Sequence, residues 1–422
     1  MIACIRSGFQ LATKLPRQPE VNIGLVGHVD HGKTTLTQAL SGTWTDTHSE
    51  ERKRGISIKL GYADTAFYKT KKGEYYTTGK KPGGKKDDEK ELSRVISFVD
   101  APGHETLMAV MISGASIMDG ALLLIAANED CPQAQTREHL MALEIAGIEN
   151  IVVVQNKIDI VSRERAMASY GEIKEFLKGT IAENAPVIPV SAHHDVNLDI
   201  LISAIEEHIP SPKSDSKDAG VLHVARSFDI NRPGARPPQL KGGVIGGSIV
   251  SGTFNVGDKV CVAPGRKVVQ GKKVSWEPIM TKIISLKGGG NDLDTMHAGG
   301  LCGMATPLDP SITKADELSG QVVAREGELP PIWNEVELDL TLLKEMVSGG
   351  GGSADPVRPL QPNEMLMVNA ATATSVGVVS FVKGTNATLT LRLPICASKG
   401  GRITLSRRIG ARWRLIGYAT IK

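Results

Sequence analysis

Over the first two hundred residues, short apolar runs alternate with stretches of helical period. Val21 to Val26 is apolar, turns through a glycine-rich segment at Gly27 to Gly32, and gives way to a helical stretch from Thr35 to Leu40. Further buried-strand patterns fall at Val95 to Val99, Ala121 to Ala126, Ile151 to Val154 and Val187 to Val190. Helical patterns lie at Glu105 to Ser113, Thr136 to Ala146, Arg163 to Leu177 and Leu198 to His208. Strands that alternate with helices and are apolar throughout predict a mostly parallel sheet covered on both faces.

The segment from Ile209 to Gly220, rich in Pro, Ser and charge, ends that alternation and reads as a domain boundary. Beyond it, short β-rich pieces recur between glycines, at Val221 to Asp229, Gly243 to Val250, Lys259 to Ala263, Ile279 to Ser285 and Leu301 to Ala305. That rhythm predicts a small closed barrel. A second break at Glu328 to Pro331 precedes strands at Val336 to Leu342, Met365 to Val368, Val376 to Val382, Thr388 to Leu393, Ile403 to Arg408 and Arg412 to Ile416, a second barrel. The expected division is an N-terminal tail over 1–20, an α/β domain over 21–209, a linker over 210–220, and barrels over 221–329 and 330–422.

Composition changes this picture little. The 422 residues are 41% hydrophobic, enough for several cores, and 49 Lys+Arg against 46 Asp+Glu leave only +3, which neither marks a polyanion binder nor suggests disorder. Five scattered cysteines without CxxC spacing fit a reducing, cytoplasmic setting, and no apolar run approaches the ~20 residues of a membrane span. Before Glu20 there are bases at Arg6, Lys14 and Arg17 and no acid, which reads as a short basic tail, with an organelle transit peptide as the alternative.

Three motifs sit at the ends of the expected strands. Gly27 to Thr34 (GHVDHGKT) follows a strand and opens a helix, so its backbone N–H groups can wrap phosphates, with Lys33 on the β- and γ-phosphates and Thr34 on Mg²⁺. Asp100-Ala-Pro-Gly103-His104 places a metal-holding acid at a strand end and a glycine N–H where a γ-phosphate can be sensed. Asn156-Lys157-Ile158-Asp159 supplies a carboxylate that accepts both the N1–H and the exocyclic amine of guanine, a donor pair adenine lacks. Asn156 would brace the loop and the Lys157 stem cover the base, while Ser191-Ala192-His193 could offer an N–H to guanine O6. In this order the motifs indicate a GTPase.

GHVDHGKTTL (Gly27 to Leu36), RGISI (Arg54 to Ile58), VDAPGHE (Val99 to Glu105) and NKID resemble the translational GTPases. EERKRGISIKLGYAD from Glu51, RSFDINRPG from Arg226, LDPSITKADELSG from Leu308 and GARWRLIGYA from Gly410 are similar to the gamma subunit of translation initiation factor 2 in its archaeal form. The resemblance covers roughly 18–422. It implies an α/β P-loop GTPase domain followed by two all-β barrel domains. It further implies binding of methionyl initiator tRNA, delivery to the small ribosomal subunit, and alpha and beta subunits as partners in a heterotrimer. Elongation factor Tu-like and selenocysteine-specific carriers are the alternative.

By that resemblance GTP would touch Asp30, His31, Gly32, Lys33, Thr34 and Thr35, Gly103, Asn156 to Asp159, and Ser191 to His193. Magnesium would lie on Asp30, Thr34, the Gly55 carbonyl and Ser57, with Asp100 acting through water. His104 would orient the attacking water, with Lys33 offsetting charge and with Val29 and Ile56 keeping His104 back until a partner rearranges the loop. Loops from Thr45 to Leu60 and from Asp100 to Met111 would order around the γ-phosphate.

One departure stands out. Many relatives carry a four-cysteine zinc knuckle between RGISI and VDAPGH, whereas 69–94 here has no cysteine, so no zinc is expected. This insertion has nine Lys/Arg against five acids with Tyr75 and Tyr76, and reads as a mobile loop with either a solvated surface or an RNA contact. The near-neutral total also conceals asymmetry. From Met365 to Lys422 there are nine bases and no acid, so a tRNA-holding face is expected there, at Arg407, Arg408, Arg412 and Arg414.

Overall fold

The computed structural model describes residues 14–46, 57, 59–77, 90–104, 107–215, 217–232, 234, 236, 239–271, 273–346, 355–410 and 412–422. Seven strands form the first sheet: β1 (Asn22–Gly27), β2 (Gly61–Thr70), β3 (Tyr75–Thr77), β4 (Lys90–Asp100), β5 (Gly120–Ala126), β6 (Ile151–Asn156) and β7 (Val187–Pro189). Their spatial order is β3-β2-β4-β1-β5-β6-β7. β4, β1, β5, β6 and β7 run parallel, whereas β2 and β3 add an antiparallel edge. Around it lie α1 (Lys33–Ser41), α2 (Met108–Ala115), α3 (Ala134–Ala146), α4 (Arg163–Leu177) and α5 (Leu198–His208).

The central strands β1, β5 and β6 are buried along their whole length. Alternate residues serve two cores, Leu25, Leu122 and Leu124 packing with Leu36 and Leu40 of α1 on one face, and Val26, Leu123 and Ile125 with Met111 and Leu143 on the other. This is why the strands read as continuous apolar runs rather than alternating ones.

Two expectations change. The edge β2–β3 was not foreseen, because Gly61–Thr70 mixes apolar and polar positions and is only partly buried. The 69–94 insertion is therefore not simply a loop: its ends complete β2, β3 and the start of β4, while 78–89 lie outside the described residues. Nor is the described part of the N-terminal stretch a free tail. Leu15 is buried against Ala66 and Val95, its N–H donates to the Gly289 carbonyl at 2.9 Å, and Gln18 exchanges hydrogen bonds with the His297 backbone. Residues 14–20 strap the first domain to the second.

The middle domain is all-β, as its glycine rhythm predicts. Its main sheet has eight antiparallel strands, from Lys273–Lys282 at one edge to Asn291–Leu293 at the other, beside a separate two-stranded pair, Thr253–Asn255 with Thr295–His297. Among the described residues its ladder does not close. The last domain does close, six strands joining Ile332–Leu342 to Arg412–Ile421 around a core that includes Val336, Leu366, Leu389 and Leu405. No helix of the described residues is long and apolar enough to cross a membrane.

Candidate nucleotide site

β1, β4 and β6 all end on one edge of the sheet, and the three motifs hang there. Gly32 caps α1 with φ at 90°, a left-handed conformation glycine adopts without steric cost, and a Cβ on it would sit 2.3 Å from Asn156 Nδ2. The α1 N-terminus thus opens toward the loop with its N–H groups, a ready anion site. Asn156 joins three segments: its Nδ2 donates to the His31 carbonyl at 2.9 Å and its Oδ1 accepts from Ala192 N–H at 3.1 Å. That second bond ties the Ser191 to His193 segment to the loop after β6.

Lys33 is buried, its ammonium donating to the carbonyls of Gly27 (2.9 Å) and His28 (2.7 Å). Burial lowers its pKa to about 8, and Asp100, Asp30 and Asp46 pull the other way. Gly103 presses against it: a Cβ there would lie 2.6 Å from Lys33 Nζ and 2.9 Å from Val29 N. The second motif therefore reaches the phosphate loop only as glycine.

Asp100 is the hub. Its Oδ2 accepts from Thr34 Oγ1 at 2.7 Å and Thr45 Oγ1 at 2.6 Å, while its buried Oδ1 has no hydrogen-bond partner. Burial raises its pKa despite the two hydroxyls. Thr34 Oγ1 lies 3.4 Å from Ser57 Oγ, which donates to Asp46 at 2.7 Å. This oxygen-only set, with one orphaned carboxylate oxygen, suits a hard cation such as Mg²⁺. Thr45 and Asp46 were missed in the sequence because they match no motif and sit in a polar stretch without periodicity. Gly55 and Ile56 lie outside the described residues.

Beneath the phosphate loop two histidine side chains are buried. His31 is buried, its Nδ1 2.9 Å from the Leu124 carbonyl and Nε2 3.4 Å from Glu129, and burial lowers its pKa to about 4. His139 on α3 accepts from Gly27 N–H at 2.9 Å and is pushed down to about 3 by burial. It read only as a helix residue in sequence. His104 is half-buried, its carbonyl accepting from Leu107 N–H at the start of α2.

Asp159 follows β6 on a short turn, with Lys157 in the left-handed region at φ 64°. The Ser191 hydroxyl, first among several contacts, holds its carboxyl below the ordinary range, keeping it an acceptor. His194 Nε2 stands 3.7 Å away.

The arginines of the last barrel do not act together. Arg407 is buried and pairs with Glu364 through Nε at 2.5 Å and Nη2 at 3.3 Å, with Nη1 on the Arg358 carbonyl at 2.9 Å. Arg414 pairs with Glu138 of α3 at 2.5 Å, both nearly enclosed between domains. Both are corrections to the expected tRNA face: their guanidinium donors hold the fold, and a phosphate would have to displace a buried carboxylate. Arg402 likewise donates to the Ile145 carbonyl at 3.0 Å and lies over the Tyr418 ring. Arg408 and Arg412 are exposed.

The first domain is joined to both neighbours, through the segment before β2 and through α2. Lys59 Nζ contacts Asp316 of the middle domain at 3.0 Å, which also accepts from Arg226 at 2.8 Å. Ser113 of α2 donates to the Thr372 carbonyl of the last barrel at 3.0 Å.

Two family patterns match this chain: "Elongation factor Tu GTP binding domain" over residues 18–211 and "Initiation factor eIF2 gamma, C terminal" over 334–421. Proteins named translation initiation factor 2 subunit gamma are similar along nearly the full length. That of Methanococcus aeolicus is 56% identical over 411 residues, covering 96% of this chain and 99% of the relative. That of Halorubrum lacusprofundi is 53% identical over 412 residues, 97% and 100%. Among solved structures, a bacterial selenocysteine-specific elongation factor superposes with a TM-score of 0.73 at 23% identity, over 96% of this chain and 58% of that longer one. A selenocysteine factor from Methanococcus maripaludis, in complex with a GTP analogue, gives 0.69 at 21%, covering 96% and 79%. These two likenesses speak for the fold alone.

Proposed function

The chain belongs to the gamma-subunit family of translation initiation factor 2 and is a GTPase that serves initiation, and from that premise we propose that it binds methionyl initiator tRNA when GTP is bound. It then delivers that tRNA to the small ribosomal subunit, in a heterotrimer with alpha and beta subunits, in the cytoplasm. The observation that carries this is the pair of interdomain contacts beside the site, Lys59 to Asp316 and Ser113 to Thr372. Through them a change at the γ-phosphate reaches both β domains.

Asp159 selects guanine, and Lys33 with the α1 N-terminus holds the phosphates. Thr34, Ser57, Asp30 and the Gly55 carbonyl, with Asp100 through water, would hold Mg²⁺, which would supply charge neutralisation to the phosphates. Gly103 presents its N–H to the γ-phosphate, and His104 orients the attacking water. Val29 and Ile56 hold that imidazole back until a partner moves the loop. No zinc is assigned to 69–94, which offers no thiolate. On the last barrel, Arg408 and Arg412 remain as the tRNA contacts. The division into 21–209, 221–329 and 330–422 is supported by a helix ending at His208 and strands starting at Val221 and Ile332.

Co-purification with alpha and beta subunits, followed by filter binding of initiator methionyl-tRNA in GTP and in GDP, tests the reading. Tight binding in GTP alone supports it; equal binding of an elongator aminoacyl-tRNA favours a carrier of the elongation type.

A further inference from the structure

Two basic stretches far apart in sequence meet on the outer edge of the first sheet, away from the nucleotide. Leu15 packs in a small cluster with Ala66 and Val95, against which Tyr68 and Leu92 also lie. It brings exposed Lys14 to the sheet face that carries Tyr68 and its cross-strand partner Tyr76. Those rings are stacked at 5.5 Å, and Lys90 Nζ lies 5.2 Å from the Tyr68 ring. Around the ribbon, Lys69 Nζ stands 5.1 Å from the Tyr75 ring, and Lys72 is exposed at the turn between β2 and β3.

Among the described residues the local acids are Glu74 and Glu91. Lys14, Lys69, Lys71, Lys72 and Lys90 outnumber them on a surface whose rings are half-exposed, whereas the whole chain is almost neutral. Arg94 and Arg17 are engaged with Glu206 and Glu20 and are not part of it. Lys90 and Asp100 are the two ends of β4, so at ~3.3 Å per residue the edge lies roughly 33 Å from the metal-site carboxylate.

We propose that this edge, centred on Lys69, Lys72, Lys90 and Lys14 with Tyr68 and Tyr76, is a contact surface for small-subunit ribosomal RNA, separate from the tRNA and nucleotide sites. Ammonium groups interleaved with aromatic faces hold phosphates and take an unpaired base by stacking. An acidic peptide would use the charge and leave the rings idle. The choice of ribosomal RNA rests on the proposed role at the small subunit.

The test uses the full chain with a non-hydrolysable GTP analogue and a labelled transcript of small-subunit ribosomal RNA, titrated across a range of salt. Exposed lysines make Lys69→Glu, Lys72→Glu and Lys90→Glu compatible with folding. The triple variant is expected to bind at least about tenfold more weakly at ~0.1 M salt and to lower the log–log salt slope by about two to three. Tyr76→Phe should retain binding that Tyr76→Leu weakens by about threefold or more. Affinities for GTP and for initiator methionyl-tRNA should stay within about twofold. Unchanged affinity and slope in the triple variant overturn the proposal, as does equal retention on polyglutamate or an equal loss of initiator tRNA binding. A wild type that binds the ribosomal transcript but not initiator tRNA would sink the proposed function while leaving this surface standing.

Discussion

The nucleotide site and the basic face of the last barrel were both drawn from charged residues, and the fold treats them differently. At the site, Lys33, Asp100 and Asp159 come from the ends of three strands and converge because parallel strands deliver their C-terminal ends to one edge. On the barrel, strands alternate inward and outward residues, and the inward or interdomain arginines are consumed by carboxylates. A motif carries its neighbours with it; a count of charges does not.

The acid-free stretch from Met365 shows how narrowly the count failed. The acid that pairs with Arg407 is Glu364, one residue before the stretch begins, and the partner of Arg414 is Glu138, in another domain. Neither pairing is local in sequence, so neither could be read from it.

The sharpest way to break this contrast is Arg407→Met, which leaves Glu364 without its partner. About 3–5 kcal/mol of barrel stability should be lost, seen as an earlier denaturant midpoint, and a stable variant with weakened tRNA binding would restore Arg407 to the RNA face. Next, Lys33→Ala removes a charge-assisted phosphate contact worth about 1.5–3 kcal/mol, so GTP affinity should fall roughly 10- to 150-fold in fluorescence titration. Arg408→Glu with Arg412→Glu, both exposed, should leave melting unchanged and weaken initiator tRNA binding by about 3- to 10-fold, with a shallower salt dependence; unaltered tRNA affinity removes this face from the account.

The smallest effect concerns pH. Burial holds His139 at about 3, well under its ordinary value, so the unfolded chain binds more protons between pH 6.5 and about 3. The stabilisation from keeping this imidazole neutral is present above pH 6.5 and is lost as pH falls toward 3. Half-buried Asp64 and Asp119, raised to about 6, act in the opposite sense, their contribution growing as pH falls from 6 toward their ordinary value. The melting temperature of the wild type alone is therefore a poor probe. Compared with His139→Gln, which keeps an acceptor for Gly27 N–H, the wild type should lose its advantage steadily below pH 6.5; parallel curves would mean that His139 is not held neutral.

Much of the fold was legible because the first domain's strands are apolar throughout and its helices have clear period: α4 and α5 lie where the pattern puts them. What was hidden is what depends on tertiary contact. β2 is half-buried and lacks a clean alternation, and the middle domain's glycines gave many turns without revealing its strand order. At the site, the P-loop, Asp100 and Asn156 were visible as motifs. Thr45, Asp46 and His139 enter only through folding, since each reaches the loop by a hydrogen bond or a charge from a segment with no motif of its own.

The central claim is that motif-placed groups, held by α1, β4 and β6, run a GTP switch completed by a partner. Single-turnover GTP hydrolysis with small ribosomal subunits and initiator methionyl-tRNA, for the wild type and His104→Ala, tests it most directly. The variant should lose stimulated turnover by about a hundredfold or more and keep GTP affinity within about twofold; stimulated hydrolysis at the wild-type rate in His104→Ala would contradict the account.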